Sequence, residues 1–215
     1  MSATRLLVLG VVRGYGRAHG YRIGTDLLGW EADRWANVKW GSIYHALSAL
    51  TRSGSLLGHV GLRGRTEYEL TERGEAEFGR LLRTALRVPD RHTDQLGAAL
   101  AFLPSLPRAE AVALLRERLT ACEAAQRAAR ERRDGWDWPP HVRELFGLWA
   151  SDATGGAAWA RGLIGRLEAG EYAMDGEPGS PGPPGSWRRL VDERSGTGDE
   201  AADETGNKVG EPAGE

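Results

Sequence analysis

The stretch NVKWGSIYHALSALTRSGSLLGHVGLRGRTEYEL, residues 37–70, restricts the fold more than any other part of the chain. Ile43, Leu47 and Leu50 recur at intervals of four and three, which puts them on one buried face of a helix. Asn37 is a favourable N-cap, so the spacing predicts a helix from there to about Ser53, stopped by Gly54. Leu56–Val60 and Thr66–Leu70 then read as two short strands around a Gly/Arg turn. Helix, strand, turn, strand is the order of a recognition helix and its wing in a winged helix-turn-helix.

The charge pattern of this stretch suggests what it faces. The side of the helix away from the apolar stripe carries Lys39, Ser42, Tyr44, His45, Ser48 and Arg52, and there is no Asp or Glu from 37 to 66. A carboxylate-free face suits the electronegative major groove, although a plain solvated helix face would also be polar. The gap in acids favours the groove. Arg63 and Arg65, in the turn, are placed to reach phosphates or a minor groove.

The preceding residues supply support. Thr4–Arg13 is almost wholly apolar and reads as a buried helix ended by Gly14, Tyr15 and Gly16. His19–Leu28 reads as a second, short helix with Tyr21, Ile23, Leu27 and Leu28 able to face inward, and Gly24 costs it about 1 kcal/mol relative to alanine, so packing must hold it. Trp30 and Trp35, in the link that follows, are expected to plug the edge of the core. After the wing, Thr71 caps a helix through Phe78, Leu81, Leu82 and Leu86 that Pro89 ends.

These segments resemble the PadR family of transcriptional regulators. HGYRI (19–23), GSIYHAL (41–47), SGSL (53–56) and GRTEYELTERG (64–74) match that family's motifs in order and spacing. The resemblance is close over residues 5–90 and looser over 94–173. It implies a dimeric winged-helix repressor, bound to a palindromic operator on double-stranded DNA and often released by a small molecule. Carried over by position, it implies that Tyr21 anchors the DNA backbone, that Lys39, Ser42 and Tyr44 enter the major groove, and that Arg63 and Arg65 make the wing contacts. His45 stands where the family commonly has proline, and it joins the candidate DNA contacts. Glu67 and Glu69 lie in a wing strand that is often more basic, so phosphate binding should be modest or salt-sensitive.

The second half reads as helices. Residues 94–133 are broken by Pro104 and Pro107, and Ala109, Val112, Leu115, Leu119, Cys122 and Ala125 or Ala129 follow near-heptad spacing after Arg108. That suits contact between subunits, with an intramolecular hairpin as the other reading. A further helix follows Val142, and Gly155-Gly156 is a place for a bend. Trp136, Trp138, Trp149 and Trp159 are expected either as core and interface aromatics or as the lining of an aromatic or apolar effector pocket. From about Tyr172 the chain turns rich in Gly, Pro, Glu and Ser, which predicts disorder, with WRRLVDER (187–194) as an amphipathic island.

The expected architecture is mainly α with a small β wing: a winged-helix DNA-binding domain over 1–90, a helical dimerisation and effector domain over 91–172, and an acidic tail over 173–215. Charge follows the same division. Residues 1–70 hold nine Lys/Arg against five Asp/Glu, and residues 171–215 hold four against eleven. Cys122 is the single cysteine, which rules out an intrachain disulfide and fits a reducing cytoplasm. No apolar run approaches membrane-spanning length. No zinc-protease, nucleophile-elbow, phosphate-loop or dinucleotide motif occurs, so neither an enzyme nor a cofactor is expected. The alternative function is a winged-helix module that works through protein contacts without binding DNA.

Overall fold

The computed structural model describes residues 3–60, 65–90, 93–135 and 137–188. Helix α1 (Ala3–Tyr15) is the centre of the winged part. Leu6, Leu7, Val8, Leu9, Val11 and Val12 are all buried, as a helix apolar on every side requires. The helix ends at Gly16, whose φ of +71° falls where glycine is unstrained. Helix α2 (Gly20–Gly29) follows. Its N-cap is His19, whose Nδ1 accepts the Arg22 N–H at 3.0 Å.

A single turn, α3 (Ala32–Trp35), then leads to α4 (Trp40–Arg52). The predicted N-cap at Asn37 is two residues too early. Asn37 instead takes a left-handed conformation, φ +51°, which asparagine tolerates. This reverses the chain so that the Val38 N–H reaches the Ala32 carbonyl at 3.0 Å and the Val38 side chain is buried. Lys39 occupies the N-cap position, and the Ser42 hydroxyl accepts its N–H at 2.9 Å and donates to its carbonyl at 2.8 Å. At the other end Gly54, φ +73°, lets the Ser55 N–H close back onto the Leu50 carbonyl at 2.9 Å.

The sheet has three antiparallel strands, β1 (Arg17–His19), β2 (Leu56–Val60) and β3 (Thr66–Leu70), in the order β1-β3-β2. The wing hairpin pairs Leu56 with Leu70 and Val60 with Thr66. The third strand adds to the expected two: β1 pairs Arg17 with Glu69 and His19 with Glu67. Helix α5 (Glu72–Arg87) is capped by the Thr71 hydroxyl, which accepts the Gly74 N–H at 3.0 Å.

Glu77 on α5 ties the start of the chain to the wing. Its carboxylate takes a two-pronged hydrogen bond from Arg5 and a third from the buried Ser55 hydroxyl at 2.7 Å. The Arg5 guanidinium, helped by Ser55 and opposed by burial, holds the carboxyl below its ordinary range. A carboxyl depressed in the folded state stabilises the fold above its unfolded pKa, and that stabilisation is lost as pH falls through the folded value. Glu77→Gln should therefore cost about 1–2 kcal/mol at neutral pH, and variant and wild type should converge once the pH falls below the ordinary carboxylate range. Urea melts at both pH values check this, and a pH-independent difference would contradict it.

The second half is a long antiparallel hairpin. Helix α6 (Asp94–Ala101) and a 3-10 turn (Leu103–Ser105) lead into α7 (Arg108–Asp134), which packs along α8 (Pro140–Glu168). Arg116 meets Glu168 at 2.7 Å, Arg161 meets Glu123 at 2.9 Å, and Gln126 meets Thr154, so the helices run in opposite directions. Leu114, Leu115, Leu163, Ile164 and Leu167 continue the winged core into the base of this hairpin. Of the near-heptad positions, Val112, Leu115, Cys122 and Ala129 are buried within the chain and Leu119 is half-buried, whereas Ala109 and Ala125 are exposed. Gly155-Gly156 does not interrupt α8. A Cβ on Gly156 would sit 3.3 Å from the Cys122 sulfur, so this small residue serves close helix approach.

The largest departure from expectation is residues 172–188, whose composition predicts disorder. This segment packs as a strap from the end of α8 back to α1. Arg108 pairs with Glu177 at 2.6 Å and donates to the Tyr172 carbonyl at 2.6 Å. Met174 is fully buried. The Trp187 ring sits 5.5 Å from Tyr15, 5.8 Å from Trp30 and 6.2 Å from Phe102. Gly14 makes room beneath it, since a Cβ there would lie 2.5 Å from the indole. Two apolar anchors suffice here because prolines and turns reduce the entropy lost on ordering. Residues 189–215, with the rest of the expected island and acidic tail, lie outside the described residues.

Candidate nucleic-acid interface

Helices α2 and α4 meet through two glycines one turn apart. A Cβ on Gly20 would lie 2.9 Å from the Tyr44 ring, and one on Gly24 would lie 1.9 Å from the Trp40 ring. The absent side chains let both rings lie flat against α2. Tyr21 stacks on Trp40 with ring centres 5.7 Å apart and planes 18° apart, and Trp40 faces Tyr44 at 6.3 Å and 24°. These three rings form a row across the outer side of the helix pair. They keep 67%, 38% and 48% of their surface exposed, unusual for aromatics in such number.

Lys39, His45, Ser48 and Arg52 are exposed on α4 beside this row. Ser42 is half-buried, and its hydroxyl is engaged in closing the first turn of the helix. Arg65 is exposed at the start of β3, and Arg63 lies outside the described residues. The structure thus brings Tyr21, Lys39, Tyr44 and His45 to one outer surface, with Ser42 at its buried margin. Trp40 escaped sequence reading. The signal for it was the Gly20/Gly24 pair, a four-residue spacing that marks a helix face open to a large partner.

Of the two wing acids, Glu69 is placed so that it does little harm there. Glu69 accepts from Arg17 at 2.6 Å and meets the His59 Nε2 at 3.0 Å. The Arg17 hydrogen bond, with a smaller contribution from His59, holds the carboxyl below its ordinary range. Strand β1 therefore supplies the cation that offsets the acid of β3. Arg22 donates to the Tyr15 hydroxyl at 2.7 Å and pairs with Asp26 at 3.3 Å, so it braces the α1–α2 corner.

The effector candidates sit apart from this surface. Trp138 and Trp149 flank Phe146 in the hairpin, with ring centres 5.4 and 5.5 Å away. Trp159 is ten residues further along α8, about 15 Å at helical rise, and packs against the main core. Trp136 lies outside the described residues. A cleft of about 450 Å³ between α7 and α8 is lined by Glu123, Gln126, Arg127, Thr154 and Arg161, with two alanines and no tryptophan. No helix among the described residues is long and apolar enough to cross a membrane.

A helix pair with an exposed second helix, followed by a β-hairpin and backed by a third helix, decides the architecture. The fold is a winged helix-turn-helix. Several solved structures are similar to this chain. PadR of Bacillus subtilis in complex with operator DNA is 21% identical, covers 78% of this chain and 98% of its own, and superposes with a TM-score of 0.37. The same regulator in complex with p-coumaric acid gives 20%, 77% and 96%, with a TM-score of 0.35. A PadR-like transcriptional regulator of Bacillus cereus gives 19%, 78% and 99%, also at 0.35. The chain is thus similar to PadR-type regulators of known structure. No family model and no curated protein matches it.

Proposed function

We propose that this protein is a sequence-specific DNA-binding transcription regulator, a cytoplasmic homodimeric repressor whose α4 faces enter successive major grooves of a palindromic operator. The observation that carries this reading is the exposed face of α4: Lys39, Tyr44, His45, Ser48 and Arg52 with no carboxylate among them, beside a wing whose Glu69 is paired internally. One such face holds few cations and would grip DNA weakly, and a twofold partner supplies the second. Residues 1–90 carry the DNA contacts, and residues 91–172 hold the two copies together. A small apolar or aromatic effector belongs to the same reading. Its candidate contacts are Trp136, Trp138, Trp149 and Trp159, of which Trp138 and Trp149 share one cluster around Phe146.

A gel shift on DNA upstream of the protein's own gene tests the proposal. Wild type should give a sequence-selective, salt-sensitive shift, and light scattering should return a dimer mass. Arg65→Ala should weaken binding to all sequences alike and lower the salt slope by about one. Tyr44→Ala should cost about 1–3 kcal/mol on the preferred site and little elsewhere. Absence of any selective shift with the wild-type dimer would favour the protein-interaction module instead.

A further inference from the structure

We infer that the acidic segment 189–215 docks on the chain's own α2–α4 aromatic face, where it competes with DNA for the same surface. The inference rests on reading that face as one that accepts a polyanion, and it adds a built-in competitor. Three observations lead to it: where the strap ends, what charge follows, and how far that charge reaches.

The strap delivers the segment to one side of the face. Trp187 is held among Tyr15, Trp30 and Phe102, and the Gly185 N–H donates to the Arg13 carbonyl at 3.0 Å. Arg188, the last described residue, donates to the Arg17 carbonyl on β1 at 3.0 Å. Two residues further along β1 is His19, whose ring lies 6.4 Å from that of Tyr21, the first of the aromatic row. The exit is a cleft of about 170 Å³ rimmed by Arg17, His19, Arg22 and Arg188, with Glu67 as its one acid. A chain leaving this cleft starts beside the cations and rings that face DNA.

The segment carries eight Asp/Glu against three Lys/Arg in 27 residues. Helix α4 offers Lys39, His45 and Arg52 and no acid in return. Another basic surface exists at the end of α7, with Arg127, Arg130, Arg132 and Arg133. Distance separates the two. Arg108, at the start of α7, is joined to the strap through Glu177, and the helix then runs 27 residues, about 40 Å, away from it. A 27-residue chain of this composition has a root-mean-square span of roughly 30 Å. The α4 face begins within a few residues of the exit, so its effective concentration of tail is far higher.

The test compares the full chain with one stopped after Arg188, which keeps every described residue of the core. A full-length variant with Asp199→Asn, Glu200→Gln, Asp203→Asn and Glu204→Gln guards against an effect of truncation itself. Backbone resonances of Tyr21, Trp40 and Tyr44 and the indole resonance of Trp40 should shift on truncation, and the neutralised variant should move them the same way. On DNA, truncation should tighten binding about tenfold at low salt, and the gain should fade as screening shortens to a few ångströms near molar salt. Unchanged resonances at these three residues would overturn the inference, as would changes confined to Arg127–Arg133. Shifted resonances in a chain that binds no DNA would support the docking and overturn the regulator reading instead.

Discussion

Gly24→Ala should cost more than about tenfold in DNA affinity while moving stability by no more than about 1–2 kcal/mol. The new methyl would stand 1.9 Å from the Trp40 ring, so something must yield. One outcome parts α2 from α4, which would uncover Ile23, Leu27, Ile43 and Leu47, all fully buried at that seam. Each such side chain is worth about 1.5–3 kcal/mol. The other swings Trp40 outward, which loses its stacks on Tyr21 and Tyr44 at about 0.5–1.5 kcal/mol each. Trp40 is already 38% exposed, so the second outcome wins. Alanine also returns roughly 1 kcal/mol of helix propensity. The fold therefore persists with its outer surface rearranged. Denaturation and binding measured on the same protein separate the two effects. In a Trp40→Ala background the Gly24 change should become neutral or slightly stabilising, and an equal penalty in both backgrounds would refute the contact argument.

Arg118→Met should do the reverse, with a large loss of stability and only secondary effects on binding. Arg118 is the one charged side chain that is buried among the described residues, at 6% exposure. Its Nη1 donates to the carbonyls of Ala85 at 3.1 Å, Leu86 at 3.4 Å and Val88 at 2.9 Å. These are the open carbonyls at the end of α5, so the guanidinium caps that helix from α7. Burial pulls its pKa down, and the electrostatic influence of Cys122 and Asp90 partly opposes this. Methionine would relieve the desolvation of the charge but leave buried acceptors without a donor, at about 1–3 kcal/mol each. A net loss of about 3 kcal/mol is expected, or a drop in Tm of roughly 10 °C for a chain of this length. Arg118→Lys, which keeps a charge and three donors, should lose less. Equal melting of Arg118→Met and wild type would mean that water already serves those carbonyls.

How much of this was legible in the sequence depends on the range over which each signal acts. Ile43, Leu47 and Leu50 announce α4 because periodicity is local, and Gly54 announces its end because only a left-handed residue fits there. Thr71 declares the start of α5 for the same reason. Strand β1 was not legible: Arg17–His19 is three residues long and owes its form to β3, some fifty residues on. Asn37 misled because asparagine serves both as an N-cap and as a left-handed reversal. The decision came from Val38, which the core takes in. The strap's composition predicts disorder because apolar residues are sparse in it, yet Met174 enters the buried core and Trp187 falls where Gly14 and the aromatic ring cluster leave room. Of the candidate DNA contacts, Lys39, Tyr44 and His45 are legible on the polar side of α4, whereas Tyr21 comes from the family resemblance alone: the apolar pattern of α2 would turn it inward, yet it stands 67% exposed. Trp40 needed knowledge of the two glycines opposite, and those sit on another helix.

The strap has a bearing on how the molecule comes into being. Arg188 and the Arg17 carbonyl it reaches are 171 positions apart, and Gly14 lies under the same indole that precedes Arg188. During synthesis the seat among Tyr15, Trp30 and Phe102 stays empty while the whole hairpin is made. A fragment cut near residue 90 would lack both Phe102 and Trp187, and the Gly10 and Gly14 side of α1 would be laid bare. The winged part is therefore made before the hairpin and completed after it, and its recognition helix stands on a base that the strap must return to finish.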